Sequence, residues 1–446
     1  MGRLAQLVTA AALGGVAVVA IATSRAEVVD PTVATAFAIG DGGARWPADR
    51  GGGKRTGAVA SLPMAPKPRW TASLGARVEW PPVVDARGTI VVAIGPSGGT
   101  EGGVAELDGT TGKVLSTTRL RSPTAQTDPI LEGLSNVQAD SAAGPLAILA
   151  NGTRVVVTIR GYAVGLSPGG AVVFRTRLGG DYSSVPRVGV SPLPGGGFAI
   201  ARRPEVIELD AHGNLVDRVR LEVGPYLAVR ESGEVLGVSP AGELIGWRAG
   251  RLPRSYGSFG DKGTNVEGPC RGGVVLDGSA TPSPGGRKER AICVTDGLVE
   301  QLDLVSGARK ALLGKAIGGL PYRTGSGIGE SGDLAVVIAG GALVGAVASG
   351  GDLGPWEVPG AAPMLPGKDG GVTYVGALGE VAPLVADDGA VAWATSDGVA
   401  LLRAGTVSRV TRCGGSFSGA VAGLASAAPG TLVVACSDGK VQLLAD

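Results

Sequence analysis

Few residues of this sequence have the types and the spacing that catalysis requires. Residues 95–99, Gly-Pro-Ser-Gly-Gly, fit the G-x-S-x-G pattern of a serine nucleophile on a strand-to-helix turn. That chemistry also needs a histidine base, and the single histidine, His212, lies in an Ala-His-Gly-Asn turn. A strand-like pattern at residues 89–94 precedes the motif, but from Glu101 another strand-like pattern follows instead of a helix. We therefore interpret residues 95–99 as a glycine-rich hairpin loop and His212 as an exposed turn residue.

The sequence also gives little support for a nucleotide-binding or metal-binding site. Residues 327–332, Gly-Ile-Gly-Glu-Ser-Gly, fit G-x-G-x-x-G, but phosphate binding needs a helix next and residues 333–338 have the pattern of a strand. One histidine cannot form a His/Cys zinc set, and Asp387-Asp388 lies in a tight turn without EF-hand spacing. The sequence therefore assigns no catalytic, cofactor-binding or metal-binding residue and predicts no cofactor. Calcium held by a loop stays an open alternative.

Composition points to many short strands joined by tight turns. The chain has 446 residues with 78 glycines and 29 prolines, yet 44% of its residues are hydrophobic. Collagen would show glycine at every third position, and a disordered chain would combine few apolar residues with high charge. Lysine and arginine number 40 and acidic residues 39, so the net charge of +1 predicts no nucleic-acid partner. What remains is an all-β sandwich, barrel or propeller.

A recurrent unit selects the propeller among these architectures. The unit has an alternating strand, a Gly/Asp turn, a strand ending in a Leu-Asp-like pair, a glycine turn and a further strand. The clearest copies place that pair at Leu107-Asp108, Leu209-Asp210 and Leu302-Asp303. Weaker copies end near Leu166, Trp247, Val347, Leu402 and Leu444. The spacing averages about 48 residues, as in four-stranded propeller blades, so we predict eight blades. Seven blades stay an alternative, because residues 361–390 are irregular.

The two ends of the repeat array predict how the ring closes. The sequence stops at Asp446 directly after a third strand, so the last blade lacks its fourth strand. Residues 69–75 resemble the fourth strands found elsewhere, such as residues 174–179, and would complete that blade. Closure of this kind removes an exposed sheet edge. We therefore predict one β-propeller domain over residues 69–446, preceded by a flexible Pro/Gly-rich linker over residues 27–68.

The best copy of the repeat also resembles a known family. Residues 106–114, Glu-Leu-Asp-Gly-Thr-Thr-Gly-Lys-Val, resemble the A-x-D-x-x-T-G-K signature of pyrroloquinoline-quinone-type (PQQ-like) propeller repeats. Such repeats also occur in outer-membrane assembly factors that carry no quinone, and the resemblance therefore implies a propeller with a binding role in the envelope. The tryptophan that usually follows Gly-Lys is replaced by Leu115 and Ser116. This departure argues against the docking of tryptophans between blades that typifies the quinone enzymes.

Four cysteines allow three pairings, and the blade template selects one of them. Cys270 lies just before a first strand and Cys293 ends the next strand, so antiparallel pairing brings the two together. Cys413 and Cys436 repeat this relation in the final blade. We therefore predict the disulfides Cys270–Cys293 and Cys413–Cys436, each contributing about 2–4 kcal/mol. Two pairs of buried thiols are the alternative.

Residues 1–26 have the features of a secretory signal peptide. Arg3 precedes an uncharged run from Leu4 to Thr23, and a Ser-Arg-Ala cleavage site ends at Ala26. The apolar run is also long enough to span a bilayer, so membrane anchoring through residues 4–24 is the alternative to cleavage. With the disulfides, either outcome predicts that the remaining chain is exported, to the periplasm or the cell exterior.

These features favour a non-catalytic, monomeric scaffold propeller in the cell envelope that binds a protein or another ligand. Propeller loops bind partners and sheet edges accept extended peptides, so we expect an envelope protein or an extended peptide as partner. Long spacings near residues 121–145 and 278–290 indicate candidate contact loops. The alternative is an exported propeller enzyme, either a quinoprotein-like dehydrogenase or a polysaccharide lyase working with Tyr, Arg and carboxylate groups. An apolar or glycine-lined channel mouth would favour the scaffold over the enzyme.

Overall fold

Strands alone build the part of the chain that the computed structural model describes. The described residues are 47–48, 51, 57–96, 102–121, 140–179, 188–260, 270, 273–277, 289–295, 298–313, 326–328, 334–339, 342–348, 381, 384–386, 390–394, 398–403, 406–414 and 420–446. They contain strands β1 to β32 and no α-helix. The all-β prediction is confirmed. The predicted signal segment 1–26 and most of the predicted linker 27–68 lie outside the described residues.

Sheets 1 to 4 are four-stranded antiparallel meanders that follow one another along the chain. Their strands are, in order, β3 (Val83–Val84), β4 (Ile90–Ile94), β5 (Gly103–Leu107) and β6 (Val114–Arg119) in sheet 1; β7 (Ala147–Ile148), β8 (Arg154–Val157), β9 (Tyr162–Leu166) and β10 (Val172–Arg177) in sheet 2; β11 (Gly189–Pro192), β12 (Phe198–Arg202), β13 (Glu205–Leu209) and β14 (Leu215–Arg220) in sheet 3; and β15 (Ala228–Val229), β16 (Val235–Val238), β17 (Glu243–Trp247) and β18 (Arg254–Ser258) in sheet 4.

Sheets 5 to 8 continue this order, with two strands from the N-terminal part of the chain added to sheets 7 and 8. Their strands are β19 (Val275–Asp277), β20 (Arg290–Thr295), β21 (Leu298–Asp303) and β22 (Arg309–Leu313) in sheet 5; β23 (Ser326–Ile328), β24 (Leu334–Ala339) and β25 (Ala342–Ala348) in sheet 6; β1 (Ala58–Val59), β26 (Leu384–Ala386), β27 (Val391–Ala394), β28 (Gly398–Arg403) and β29 (Thr406–Arg412) in sheet 7; and β30 (Val421–Ala425), β31 (Leu432–Cys436), β32 (Lys440–Ala445) and β2 (Lys67–Ser73) in sheet 8.

Every copy of the predicted repeat corresponds to the third strand of one sheet. The Leu-Asp pairs end β5, β13 and β21, and the weaker copies fall at the ends of β9, β17, β25, β28 and β32. A period-2 pattern followed by a turn residue therefore located the hairpins correctly. The described residues form eight sheets. The number of blades in the closed ring stays a prediction, since much of the irregular segment 361–390 lies outside the described residues.

Contacts between first strands show that the sheets stand side by side around an axis. β3 contacts β7, β7 contacts β11, β11 contacts β15, β19 contacts β23, and β23 contacts β26. The fourth strands are instead the most exposed, and β6 and β14 have half-buried and exposed residues only. Inner first strands and exposed outer strands are the arrangement of a β-propeller, the fold that the repeat predicted.

Glycine allows neighbouring sheets to meet closely near the axis. A Cβ on Gly144 would overlap the carbonyl oxygen of Val188, and a Cβ on Gly189 would overlap backbone of the following sheet. Both glycines lie at or just before a first strand, where the sheets converge. Farther from the axis aromatic rings fill the wider gap, as where Phe174 and Phe198 stack with ring centroids 6.0 Å apart.

The ring closes through β2, which pairs with β32. The two strands run antiparallel, with Trp70 opposite Leu443 and Ser73 opposite Lys440. The predicted closure by an N-terminal strand is confirmed. β2 begins at Lys67, so the strand starts two residues before the predicted domain boundary at residue 69.

Trp70 docks between sheets, although no tryptophan follows Gly112-Lys113, where PQQ-like repeats usually have one. The indole of Trp70 in sheet 8 packs on Gly112 of sheet 1, and its Nε1 donates a hydrogen bond to the Gly109 carbonyl at 3.0 Å. Phe174 of sheet 2 packs in the same way on Gly213 of sheet 3. Aromatic side chains on fourth strands thus hold the glycine turns of the next sheet.

The end of the predicted linker packs against the propeller. Ala58 and Val59 form β1, which pairs in parallel with the free edge of β26, the first strand of sheet 7. Val59 and Leu62 are buried. Earlier in the linker, the Pro47 carbonyl accepts a hydrogen bond from the Ile148 amide of β7 at 2.7 Å. These described parts of residues 27–68 are therefore packed, because the unpaired inner edges of first strands offer backbone groups to them.

Candidate functional site

The meander topology assigns each connection to one of two faces. In a four-stranded meander, the turn between the second and third strands lies on one face, together with the two chain ends that lead to neighbouring sheets, and we call this face the connection face. Turns between first and second strands and between third and fourth strands lie on the other, the hairpin face. Of the two predicted contact loops, residues 121–145 follow sheet 1 and residues 278–290 follow β19 along the sequence. Most residues of both loops lie outside the described residues.

Apolar residues and the chain's own N-terminal segment occupy the space around the axis. The first strands are mostly valine, alanine, isoleucine, leucine and glycine, as in β3, β7 and β26. β1 covers the inner edge of β26 and Pro47 covers that of β7. Val59 and Leu62 continue the hydrophobic cluster formed by sheets 1, 7 and 8. An axis filled in this way has an apolar character and lacks the converging polar groups that a catalytic channel needs among its described residues.

The aspartates that mark the repeat cap turns on the hairpin face. Asp108 Oδ1 accepts hydrogen bonds from the amides of Thr110 and Thr111 at 2.9 and 2.7 Å. These bonds lower the pKa of the exposed Asp108 carboxyl, the Thr111 amide having the largest effect. Asp210 and Asp303 accept equivalent pairs of amides in sheets 3 and 5. The repeated aspartate is therefore a turn cap, which satisfies backbone donors where strand pairing ends.

The described parts of the candidate catalytic and nucleotide-binding motifs lie in turns and strands. His212 is exposed, and its amide donates to Asp210 at 2.8 Å. Gly95 and Pro96 directly follow β4, and the rest of the G-x-S-x-G pattern, including Ser97, lies outside the described residues. The G-x-G-x-x-G pattern begins inside β23, which contains Gly327 and Ile328, and its residues 329–332 lie outside the described residues. Asp387 and Asp388 lie outside the described residues.

Sequence reasoning missed a buried ion-pair cluster between sheets 1 and 2. The Arg154 side chain is 1% exposed, and its Nη2 lies 2.8 Å from Asp85 Oδ2 while its Nε lies 2.7 Å from Glu106 Oε1. Glu106 Oε2 also accepts the Gly169 amide of sheet 2 at 2.8 Å. A signal was present, because Arg154 opens the apolar run Arg-Val-Val-Val of a second strand. A buried guanidinium requires such partners.

A second cluster joins sheets 4 and 5. Arg230 Nη2 lies 2.6 Å from Glu289 Oε2, and its Nη1 lies 2.7 Å from Glu234 Oε2. Burial lowers the pKa of Arg230, but the bonds to Glu234 and Glu289 outweigh it and the pKa is raised. The Tyr256 hydroxyl donates to Glu234 at 2.7 Å, and burial, followed by Glu234, raises the pKa of Tyr256 to about 12. The guanidinium of Arg254 stacks on this ring 4.2 Å from its centroid.

Both predicted cysteine pairs lie at disulfide distance and at the connection face. Cys270 and Cys293 have Cα atoms 5.3 Å apart, and those of Cys413 and Cys436 are 5.5 Å apart. In each pair the first cysteine lies in an inter-sheet connection and the second in the second strand of the next sheet. Each disulfide therefore holds one inter-sheet connection against the sheet that follows it.

Two carboxyl groups of the connection face have raised pKa values. Burial raises the pKa of Glu79, and the charge of Arg77 opposes this effect. Burial also raises the pKa of Asp140, although it accepts hydrogen bonds from the Ser141 and Arg160 amides at 3.0 and 3.3 Å. Asp140 is nearly inaccessible and bonds to its own loop and to the β8–β9 turn. Glu79 is partly exposed and is the group here with potential for acid–base chemistry.

Among the described residues, no three histidine, cysteine, aspartate or glutamate side chains cluster in a way that would hold a metal ion. Within the same residues no helix has the length and hydropathy needed to cross a membrane.

Comparisons with known proteins give structural similarity without sequence similarity. No protein-family model matches the chain, and no curated protein sequence matches it. Among solved structures, it is similar to virginiamycin B lyase from Staphylococcus aureus, with a TM-score of 0.46, 10% identity and coverage of 68% of this chain and 94% of the lyase.

It is also similar to two WD40 domains. The Pan2 WD40 domain of Neurospora crassa gives a TM-score of 0.44 and 8% identity over 87% of this chain and 97% of that domain. The C-terminal WD40 domain of Sif2 gives a TM-score of 0.43 and 12% identity, and the match covers 87% of this chain and 99% of that domain. The chain's own sheets carry the fold assignment, which is a β-propeller.

Proposed function

We propose that the protein is a non-catalytic scaffold propeller of the cell envelope that binds a protein or an extended peptide. The observation that carries this proposal is the apolar axis. Propeller enzymes need polar groups converging on an accessible cavity, whereas here Pro47 and β1 bond to the inner edges of the first strands β7 and β26. Loops and outer edges are then the surfaces left for recognition.

The disulfide-held connection face supports loop-mediated binding. Cys270 and Cys413 fix two inter-sheet connections, and rigid loops lose less conformational entropy when a partner binds. Disulfides are also consistent with export, because oxidising compartments are where they persist. The signal peptide predicted at residues 1–26 and the resemblance to PQQ-like repeats of quinone-free assembly factors agree with an envelope location.

The outer strands support recognition of an extended peptide. The fourth strands β6 and β14 each have one free edge, and strand addition uses such an edge for main-chain hydrogen bonds. Both strands begin with two exposed apolar residues, Val114 and Leu115 in β6 and Leu215 and Val216 in β14. Exposed apolar side chains next to an open edge would supply the pockets and contacts that select a peptide.

Site-specific photocrosslinking in native envelopes tests this proposal. A photoreactive residue would replace one of three exposed connection-face residues, Arg203, Glu222 or Ala241. Crosslinked products from the exported, tagged protein would be identified by mass spectrometry. We expect one reproducible envelope protein from these positions.

Matched positions on the hairpin face provide the control. The same photoreactive residue at the exposed positions Ser232, Arg251 or Ser306 should not capture that protein. At the exposed positions Leu115 of β6 and Val216 of β14 it tests the outer edges. Capture from both faces alike would indicate non-specific contact. Absence of any specific product from the connection face and from the edges of β6 and β14 would contradict the scaffold proposal.

The partly exposed Glu79 carboxyl, with its raised pKa, favours the alternative function, which is an exported enzyme such as a polysaccharide lyase. Its raised pKa suits a general acid or base. If purified protein cleaves a polysaccharide, Glu79→Gln should abolish cleavage while leaving the unfolding temperature unchanged within a few degrees. Cleavage that survives this substitution would show that Glu79 has no catalytic role.

A further inference from the structure

The fourth strands are strongly biased toward basic residues. Their basic residues are Arg119 in β6; Arg175 and Arg177 in β10; Arg218 and Arg220 in β14; Arg254 in β18; Arg309 and Lys310 in β22; Arg409 and Arg412 in β29; and Lys67 and Arg69 in β2. Among these described strands the acidic residue is Asp217 alone. The whole chain has nearly equal numbers of basic and acidic residues, so positive charge is concentrated on the outer wall of the propeller.

Three of these arginines lie at equivalent positions in consecutive sheets. Arg119, Arg177 and Arg220 are the last residues of their fourth strands. Each stands opposite the first residue of the neighbouring third strand, with the pairs being Arg119–Gly103, Arg177–Tyr162 and Arg220–Glu205. Equivalent register puts the three at one height, at the connection-face end of sheets 1, 2 and 3. We call them the arginine row.

The arginine row is exposed, and within the part of the chain that the structure describes no carboxylate pairs with it. All three side chains are exposed, and no described residue forms an ion pair with them. The nearest acidic partner in register, Glu205, lies 3.7 Å from Arg202 and 3.9 Å from Arg218 instead.

Charged residues on fourth strands can be explained by the need to keep open sheet edges from pairing. That need does not explain why arginine recurs at the same position in three neighbouring sheets. Charged residues of either sign keep edges from pairing with other chains. The row has one sign, the same residue type and the same height in three neighbouring sheets. Arginine in particular binds carboxylate and phosphate through two parallel hydrogen bonds.

We propose that the arginine row binds a linear polyanion, namely an acidic polysaccharide whose carboxylates contact Arg119, Arg177 and Arg220 in turn. Packed sheets stand about 10 Å apart and diverge outward, so the guanidinium groups are spaced by at least that distance along an arc. A flexible polymer can follow the arc, whereas a flat membrane meeting the wall edge-on would reach only part of it. The choice of a polysaccharide rests on the export proposed above, but binding of a polyanion does not.

Binding of polygalacturonate by the purified protein tests the row. Titrations at about 20 and 200 mM salt should show binding that weakens as salt screens exposed charges. The variant Arg119→Gln/Arg177→Gln/Arg220→Gln should lose at least about tenfold in affinity at low salt. The control variant Lys113→Gln/Arg248→Gln/Arg251→Gln removes three exposed charges from the hairpin face and should lose less than about threefold. Neutral dextran should not bind.

Several outcomes would overturn the proposal. They are absence of polygalacturonate binding by the unaltered protein, equal losses in the two triple variants, or tighter binding of DNA or of anionic lipid vesicles than of polygalacturonate. Unfolding curves must coincide for all three proteins, so that a loss of affinity reports the surface. The test is independent of photocrosslinking: a missing protein partner would contradict the scaffold proposal and leave the arginine row intact.

Discussion

At the scale of single residues, the polar groups of this propeller serve mainly as connectors between sheets. Asp108 and its equivalents cap turns, while Arg154 joins two sheets through Asp85 and Glu106. Buried charges of this kind stabilise only as complete sets, because each member left alone keeps its desolvation cost. A single substitution that removes one member of such a cluster therefore destabilises the fold.

Removal of Arg154 should therefore destabilise the fold strongly. Arg154→Met leaves Asp85 and Glu106 buried without their partner, and we expect a loss of about 3–5 kcal/mol in the free energy of unfolding. Urea denaturation measures this loss. Adding Asp85→Asn and Glu106→Gln to the same variant should restore part of it. Arg87→Gln, at a side chain that is 69% exposed, is the control and should change stability by less than about 0.5 kcal/mol. A loss no larger than the control's would refute the role given to Arg154.

Asp140 gives the protein a predictable dependence on pH. Burial raises its pKa in the folded state above the ordinary 3.8, so the folded state holds the proton more tightly than the unfolded state. The associated stability is present below pH 3.8 and is lost as the pH rises through the folded-state pKa.

The variant Asp140→Asn cannot lose that proton and keeps an acceptor for the Ser141 and Arg160 amides. Its stability relative to the unaltered protein should therefore increase between pH 4 and pH 8. Unfolding free energies at both values provide the measurement. A relative stability that stays constant or falls with pH would contradict the raised pKa.

At the scale of strands and sheets, the sequence contains most of the information that the fold needs. Alternating residues that end in Leu107-Asp108 or Leu209-Asp210 predicted third strands, because side-chain period and turn chemistry act locally. Trp70 in β2 was placed in the closing strand for the same reason. The clusters around Arg154 and Arg230 were missed, since their partners come from neighbouring sheets and sequence distance does not reveal them.

The close approach of first strands at Gly144 leads to a prediction about packing. Gly144→Ala would place a Cβ against the carbonyl of Val188 in the next sheet, so the sheets must separate or the chain must shift. We expect a loss of roughly 2–4 kcal/mol, which thermal or urea unfolding would measure. Gly195→Ala is the matched control, because a Cβ there meets nothing within 4 Å and should cost little. Equal effects of the two substitutions would argue against close packing around the axis.

At the scale of the whole molecule, the N-terminal part of the chain holds the ring together at two places. β1 extends sheet 7 at the axis, and β2 completes sheet 8 on the outside. Between them, Ser61 accepts a hydrogen bond from the Gly430 amide at 3.1 Å, and the Ala65 amide donates to Asp446 at 2.7 Å. The segment therefore crosses the hairpin face from the axis to the rim.

A circular permutation should preserve the pairing of β2 with β32 while making the two strands neighbours in the sequence. Since Ala65 contacts Asp446, a short glycine–serine linker can join the C-terminus to residue 65, with new ends placed between Gly75 and Ala76. Residues before 57 are left out, and residues 57–64 are supplied on a separate peptide.

We expect the permuted chain to refold faster than the original sequence, because β32 and β2 become a hairpin of low contact order. Stopped-flow refolding gives the rates. Deletion of residues 1–75 without permutation is the comparison, and it should leave β32 with an open edge and cause aggregation. Refolding of the permuted chain that is no faster would show that closure does not limit the rate.

The pairing of β2 with β32 has a consequence for how the protein is made. The ribosome delivers β2 long before its partner β32, because the two strands lie at opposite ends of the propeller sequence. At 5–20 residues per second, the interval is on the order of tens of seconds. Throughout that time the nascent chain carries an unpaired edge strand and cannot finish its last sheet. Factors that bind such open edges during synthesis would therefore affect the yield of closed rings, in addition to the stability of the finished propeller.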